Sequence, residues 1–176
     1  QPPSPQATHT PHEPDSRRSL AGIAFNEHAA QPTILASLPN ERVIRAKGPA
    51  SVGGVASARG LAGLYAATIS EIEGRAPLLK QDTVAEFGQL HSVGHDMITG
   101  THRAYGLGFQ ATAGTWYPFL SAGTIGHSGA AGSQAFADPR TGLTYGYTRR
   151  RFALPGGPAP ENIRLVQAAH QAALAG

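Results

Sequence analysis

The sequence predicts an α+β fold, an antiparallel sheet flanked by helices. Three observations carry this. Residues around Leu61 show the apolar period of a helix, residues 105–148 switch to alternating patterns broken by turn residues, and helical periodicity returns after Pro160. Strands joined by turns this short pair antiparallel, because a parallel pair needs a long crossover.

A chain of 176 residues lies in the range of one ordinary domain. Its 22 Gly and 14 Pro stay below the share that marks low-complexity chains, and 40% hydrophobic residues are enough for a core. The absence of Cys excludes disulfides, thiolate metal sites and a Cys nucleophile. A formal charge of +3 with 14% charged residues gives no case for nucleic acid, which needs clustered Lys and Arg among stacking aromatics. The one dense cluster, Arg149, Arg150 and Arg151, stands where a strand would run out into solvent. No apolar run approaches membrane-spanning length, so the expectation is a soluble chain without a visible address.

Along the chain, residues 1–18 are Pro-rich and polar, and are expected to form a flexible or extended segment. Residues 19–176 form the rest of the domain. From Ser19 to Ala46 the pattern is mixed. Leu20, Ile23, Ala24 and Phe25 fit a short helix or a strand, and Pro32 and Pro39 prevent one long helix. Leu61, Leu64, Tyr65, Thr68 and Ile69 then mark one helical face, with Ser57 as N-cap and Gly74 as stop. Gly60 and Gly63 each weaken that helix by up to about 1 kcal/mol, which predicts a neighbour packed closely against them. A shorter helix is expected over 82–90, with Val84, Phe87 and Leu90 on one face.

From Tyr105 the alternation puts Tyr105, Leu107, Phe109 and Ala111 on one side, and the apolar stretch continues toward Gly123. Residues 124–150 read as three antiparallel strands. Asp138-Pro139-Arg140-Thr141-Gly142 supplies Asp, Pro and Gly where a turn needs them, and closes a hairpin between 134–137 and 143–148. Leu143, Tyr145 and Tyr147 share one face of the last strand, and Thr144, Gly146 and Thr148 the other. A terminal helix follows Pro160, with Ile163, Val166, His170, Ala173 and Leu174 along its packed side.

GHSGAAGSQAFADPRTGLTYGYTRRRF, together with SVGGVASARGLAGLYAAT upstream and AYGLGF between, resembles the C-terminal half of the serine hydrolases related to class C β-lactamases and penicillin-binding proteins, nearest the esterase branch. Agreement in order and spacing spans residues 55–175. The resemblance implies a partial β-lactamase or DD-peptidase fold, including part of its helical region, with the N-terminal half missing. It also implies acyl-enzyme chemistry on a small-molecule ester or amide, with no cofactor and no metal.

That family uses a Ser-x-x-Lys nucleophile, a Tyr-x-Asn or Tyr-x-Ser element, and a Lys-Thr-Gly or His-x-Gly strand. His127-Ser128-Gly129 matches the third. By the resemblance, His127 orients or polarises near substrate, Gly129 permits close approach, and Ala130 offers one of two oxyanion N–H donors. The other two motifs are absent. Lys47 and Lys80 follow Ile44 and Pro77 at the serine position, and none of Tyr65, Tyr105, Tyr117, Tyr145 and Tyr147 has Asn or Ser two residues on. The expectation is therefore the C-terminal portion of a hydrolase, inactive alone.

A rival reading takes Gly126-His127-Ser128-Gly129-Ala130 as a near-miss of the Gly-x-Ser-x-Gly elbow, with Ser128 as nucleophile and Asp138 and His170 following in triad order. His91, His95, Asp96 and His102 suggest a metal cluster, against which a polar surface loop is the better reading because Ser92-Val93-Gly94 is poor helix. Trp116 and Tyr117 fit either a pocket wall or the core. The non-enzymatic alternative is an interaction module of the same fold, whose exposed sheet face meets the missing N-terminal half or a second copy of the chain.

Overall fold

The computed structural model describes residues 19–32, 34, 36–51, 53–151 and 157–176. The Pro-rich segment expected over 1–18 lies outside these. Two compact units divide the chain, Gln1–Val55 with His95–His102, and Ala56–Gly94 with Arg103–Gly176.

In the first unit, α1 (Leu20–Ala24) starts at Ser19, whose hydroxyl accepts from Gly22 N–H at 3.0 Å. A 3₁₀ turn covers Leu38–Asn40, and α2 (Arg42–Lys47) ends at Gly48 with φ +54°, the left-handed stop that glycine adopts without strain. The 95–102 segment is the tip of a hairpin, where Asp96 accepts from the amides of Ile98 and Thr99.

The second unit carries α3 (Ala58–Ile69), α4 (Gln81–Phe87), α5 (Thr112–Thr115) and α6 (Asn162–Ala175). The strands are β1 (Ser92–His95), β2 (His102–Tyr105), β3 (Gln110–Ala111), β4 (Ile125–Ser128), β5 (Gln134–Asp138) and β6 (Leu143–Tyr147). They lie side by side in sequence order. The pairs from β2 to β6 are antiparallel, and the α+β class expected from the sequence is the one observed.

Each face of the sheet has its own apolar cluster. Phe136, Tyr117, Leu120, Val166 and Ala113 pack together on one, with Leu143 and Tyr145 against them. Ile125, Ala137 and Val84 form the other, with Tyr65, Ile69, Phe87 and Phe109. Phe136 and Ala137 are neighbours on β5 and so point to opposite faces, which assigns α5 and α6 to one side and α3 and α4 to the other. Burying Phe136 and Val166 contributes about 1.5–3 kcal/mol each.

The predicted hairpin forms over 134–138 and 143–147. Asp138 accepts from Arg140 N–H at 3.1 Å, and Gly142 takes φ +69°. The face assignment on β6 also holds. Tyr145 and Tyr147 donate to Asn162 and Glu161 near the start of α6, while Gly146 meets α3. Arg149 is half-buried and reaches Glu161 at 3.4 Å, and Arg150 and Arg151 are exposed beyond the strand.

Several expectations shift. α3 starts at Ser57, whose hydroxyl accepts from Gly60 N–H, but stops at Ser70. Gly74 (φ +75°) instead follows Glu73 (φ +50°) in a tight turn joining Ile72 to Arg75. Leu64 is 56% exposed, because Ala58 and Ala62 face the sheet and turn Leu64 outward. Among the described residues Gly60 and Gly63 have no close tertiary neighbour; the glycine that permits the approach belongs to β6.

Residues 105–111 are two strands rather than one. Gly106 N–H donates to Phe109 C=O at 2.9 Å, and a Cβ on Gly106 would collide with the carbonyls of Phe87 and Gln89. Leu107 therefore sits at an exposed turn. The second helix ends at Phe87, leaving Leu90 exposed. On α6 the buried side runs through Asn162, Val166, Ala169, His170 and Ala173, while Ile163 and Leu174 are 47% and 62% exposed. The stripe is rotated because Asn162 turns inward to accept from Tyr145.

Candidate active site

The structure places His127 and Ser128 at the end of β4, and Gly129 and Ala130 in the five-residue turn to β5. Gly129 N–H donates to Ser133 C=O at 2.9 Å and Gly132 N–H to Gly129 C=O at 3.0 Å, so the turn is closed by its own backbone. Successive amides of a strand alternate in direction. Since Gly129 N–H points toward β5, that of Ser128 points the other way, toward the side occupied by β3.

β3 is too short to cover that edge. It begins at Gln110, which pairs with Gly126, and Ala111 then pairs with Ile125, so no residue of β3 lies opposite Ser128. Past Gly126 the outer edge of β4 is met by a side chain. Gln110 Oε1 accepts from Ser128 N–H at 3.1 Å and from Ser128 Oγ at 3.0 Å, while Gln110 Nε2 donates to Tyr105 Oη at 3.4 Å. Gln110 is 4% exposed and Ser128 5%. Ala130 is exposed, and its N–H donates to no described residue.

His127 projects to the opposite face from Ser128, as adjacent strand residues must. Its ring lies 6.4 Å from that of Tyr105. Desolvation lowers its pKa, the hydrogen bond with the Ser128 backbone opposes this, and the Arg103 guanidinium lowers it further. The balance favours the neutral imidazole, which already shares a hydrogen bond with the Ser128 backbone. Arg103 is itself seated over the Trp116 ring at 5.7 Å.

Among the described residues no base contacts the Ser128 hydroxyl. Its hydroxyl donates to a neutral amide, and nothing there withdraws its proton. The elbow reading also needs Asp138 and His170 close by, yet Ser128 and Asp138 stand four rungs apart on the β4–β5 ladder, roughly 13 Å at 3.3 Å per residue. Asp138 and His170 line a separate hollow of about 240 Å³ with Phe119, Ser121, Arg140 and Thr141. There Asp138 is fully buried and accepts from the amide and hydroxyl of Ser121. A hairpin, not a helix, follows Ser128.

The other candidates resolve into structure. Tyr117 is fully buried in the core, and Trp116 packs against it. His95 and His102 meet edge to face at 5.5 Å on the hairpin tip, Asp96 caps its turn, and His91 approaches Glu86 at 3.3 Å. Among the described residues no group of three or more His, Asp or Glu could hold a metal ion, and no helix is long and apolar enough to cross a membrane.

Sequence reasoning missed Gln110, Tyr105 and Arg103. The available signal was Gln110 itself, one amide side chain inside the apolar run YGLGFQATA, on the side of the alternation opposite Phe109 and Ala111.

Comparison with known proteins agrees with this arrangement. The Beta-lactamase family model matches residues 1–170. Among solved structures, the chain is similar to EstA from Arthrobacter nitroguajacolicus Rue61a, with a TM-score of 0.78 and 31% sequence identity. The alignment covers 98% of this chain and 45% of EstA, so the chain spans less than half the length of that relative. No curated protein matches. With nearly the whole chain matched by one family model, and a sheet whose His-Ser-Gly strand ends in an outward-facing turn, this protein belongs to the beta-lactamase family.

Proposed function

We propose that this chain contributes the substrate-binding strand of a serine hydrolase that cleaves a small ester or amide through an acyl-enzyme. In this reading His127, Ser128 and Gly129 shape the edge beside the substrate. Ala130 N–H is one of two donors to the oxyanion that forms as the carbonyl is attacked. The supporting observation is the exposed Ala130 amide, which lacks a described partner at the end of a strand whose preceding outward amide is occupied.

The nucleophile comes from residues other than these 176. No Ser-x-x-Lys occurs among them, and Ser128 is locked against Gln110. The partner is a polypeptide segment carrying that motif and Tyr-x-Asn or Tyr-x-Ser, with lysine and tyrosine taking the serine proton. The serine oxygen bonds to the acyl carbon, the tetrahedral oxyanion is held by Ala130 N–H and the nucleophile's own N–H, and the alcohol or amine departs with a proton. Water then releases the acid.

The test is reconstitution. The chain alone should neither hydrolyse p-nitrophenyl butyrate nor take up a fluorophosphonate label. Joined to a segment bearing both motifs it should turn over, and Ala130→Pro, which removes one donor, should lower kcat by about 10²- to 10³-fold. Turnover by the chain alone that Ser128→Ala abolishes would overturn the proposal.

A further inference from the structure

The outer edge of β4 raises a question that the oxyanion reading does not answer: what substrate shape it admits. An uncovered strand edge is a template for another extended chain, because its N–H and C=O groups repeat every two residues. Past Gly126 that edge ends in the amide of Ser128, the last residue of β4, and the turn beyond it carries the unpartnered amide of Ala130. Here one is already taken. Gln110 reaches along the edge from the first residue of β3 and accepts from both the N–H and the hydroxyl of Ser128, at 3.1 and 3.0 Å.

The capping group is not free to swing away. Gln110 is almost wholly buried, its backbone is paired with Gly126, and the far end of its amide is tied to Tyr105 Oη. Leaving that position would strand a buried amide and a buried serine hydroxyl without partners.

We infer that Gln110 is a specificity-determining residue that closes the last amide of β4, leaving the substrate only the open amide of Ala130 in the turn beyond, and so rejects extended peptide backbones while admitting compact acyl groups. The inference rests on the reading of this edge as the substrate side. Gln110 touches no reacting atom; it acts by occupying Ser128. Substrates that contribute one carbonyl oxygen lose nothing, whereas a peptide that needs a ladder of two or more rungs meets a side chain where its carbonyl should bond.

Amide-resolved NMR on the ¹⁵N-labelled chain tests this without any turnover. In the unaltered protein the Ser128 amide should exchange with solvent at least 10²-fold more slowly than that of Ala130. Gln110→Met, similar in shape but without the acceptor, should raise the Ser128 rate at least tenfold while the amides of Phe136 and Ala137 stay slow. Gln110→Glu, which keeps an acceptor, should restore the slow rate.

The capped peptide acetyl-Ala₄-amide should shift neither Ser128 nor Ala130 in the unaltered chain and should shift both in Gln110→Met. Two results overturn the inference: equal exchange at Ser128 and Ala130, or a peptide-induced shift at Ser128 in the unaltered chain. Both are read on the unaltered chain and stand even if Gln110→Met fails to fold. Methylphosphonate, an oxyanion mimic, should shift Ala130 alone. If it shifts nothing while Ser128 remains protected, the oxyanion reading fails and the cap survives.

Discussion

Gly146 on β6 lies directly beneath Ala58 on α3. A Cβ at Gly146 would fall inside contact distance of Ala58 C=O and 2.9 Å from Ala62 N. Both neighbours are helix backbone, which cannot turn aside as a side chain can. Gly146→Ala should therefore destabilise the second unit by about 1–3 kcal/mol, the range for overpacking. Gly63→Ala, in the same helix but open to solvent, should stabilise by about 0.5–1 kcal/mol. Urea denaturation of the two variants checks the opposite signs.

The rotation of α6 makes a second pair of opposed outcomes. Val166 is fully buried against Phe136 and Tyr117, so Val166→Ala should cost about 1.5–2.5 kcal/mol, the transfer of two methyl equivalents plus a small cavity. Ile163→Ala should change stability by no more than about 0.5 kcal/mol, because that side chain is half in water. If the costs are reversed in thermal melts, the helix packs on the face expected from its apolar residues alone.

Asp138 joins the β5–β6 turn to the Ser121 loop by accepting from Arg140 N–H, Ser121 N–H and Ser121 Oγ. Asp138→Ala removes a fully buried acceptor from the amides of Ser121 and Arg140 and leaves the Ser121 hydroxyl only Thr124 Oγ1, and should cost about 1–3 kcal/mol. Asp138→Asn keeps one oxygen and should cost less. Denaturant midpoints at unchanged m-value would show this order.

His127 should make stability depend on pH in a defined window. Its folded-state pKa lies below the usual histidine value near 6.5, mainly through desolvation. Above about pH 6.5 both folded and unfolded chains are neutral there, and the group has no effect. As the pH falls through that value the unfolded chain takes up the proton first, so stability declines until the folded-state pKa is passed. His127→Gln should melt at the same temperature as the unaltered chain at pH 7.5 and higher than it at pH 5. An NMR titration midpoint at or above 6.5 for His127 would contradict this.

Chemistry confined to a few adjacent residues was legible in the sequence. Asp138-Pro139 and Gly142 specify a turn by backbone preference alone, and Ser57 specifies a helix start by its hydroxyl. The alternation of Tyr145 and Tyr147 with Gly146 gave the faces of β6 because β6 is one uninterrupted strand. Where two elements must meet, the sequence was silent on which partner yields. The contact between α3 and β6 needs one glycine, and three were available at 60, 63 and 146. Only the register decides that Gly146 carries it.

The site divides the same way. His127-Ser128-Gly129 could be singled out as a motif, whereas the part of Gln110 follows from β3 beginning at Gln110, opposite Gly126, a fact of pairing rather than of composition. On α6, the apolar period pointed to Ile163, and the bond between Tyr145 and Asn162 overrode it.

The turn that carries Ala130 is also held from behind. Ala159 N–H, just before α6, donates to Gly132 C=O at 3.3 Å, and Gly157, at φ +80°, lies so close to the Trp116 indole that a Cβ there would come within 3.2 Å of it. The lead-in to the terminal helix is thus a latch on the turn that carries Ala130. A donor amide must be fixed before charge develops if it is to act without reorganising. In the proposed reading, part of that fixing comes from a stretch some thirty residues downstream, which shapes the site by leaning on it.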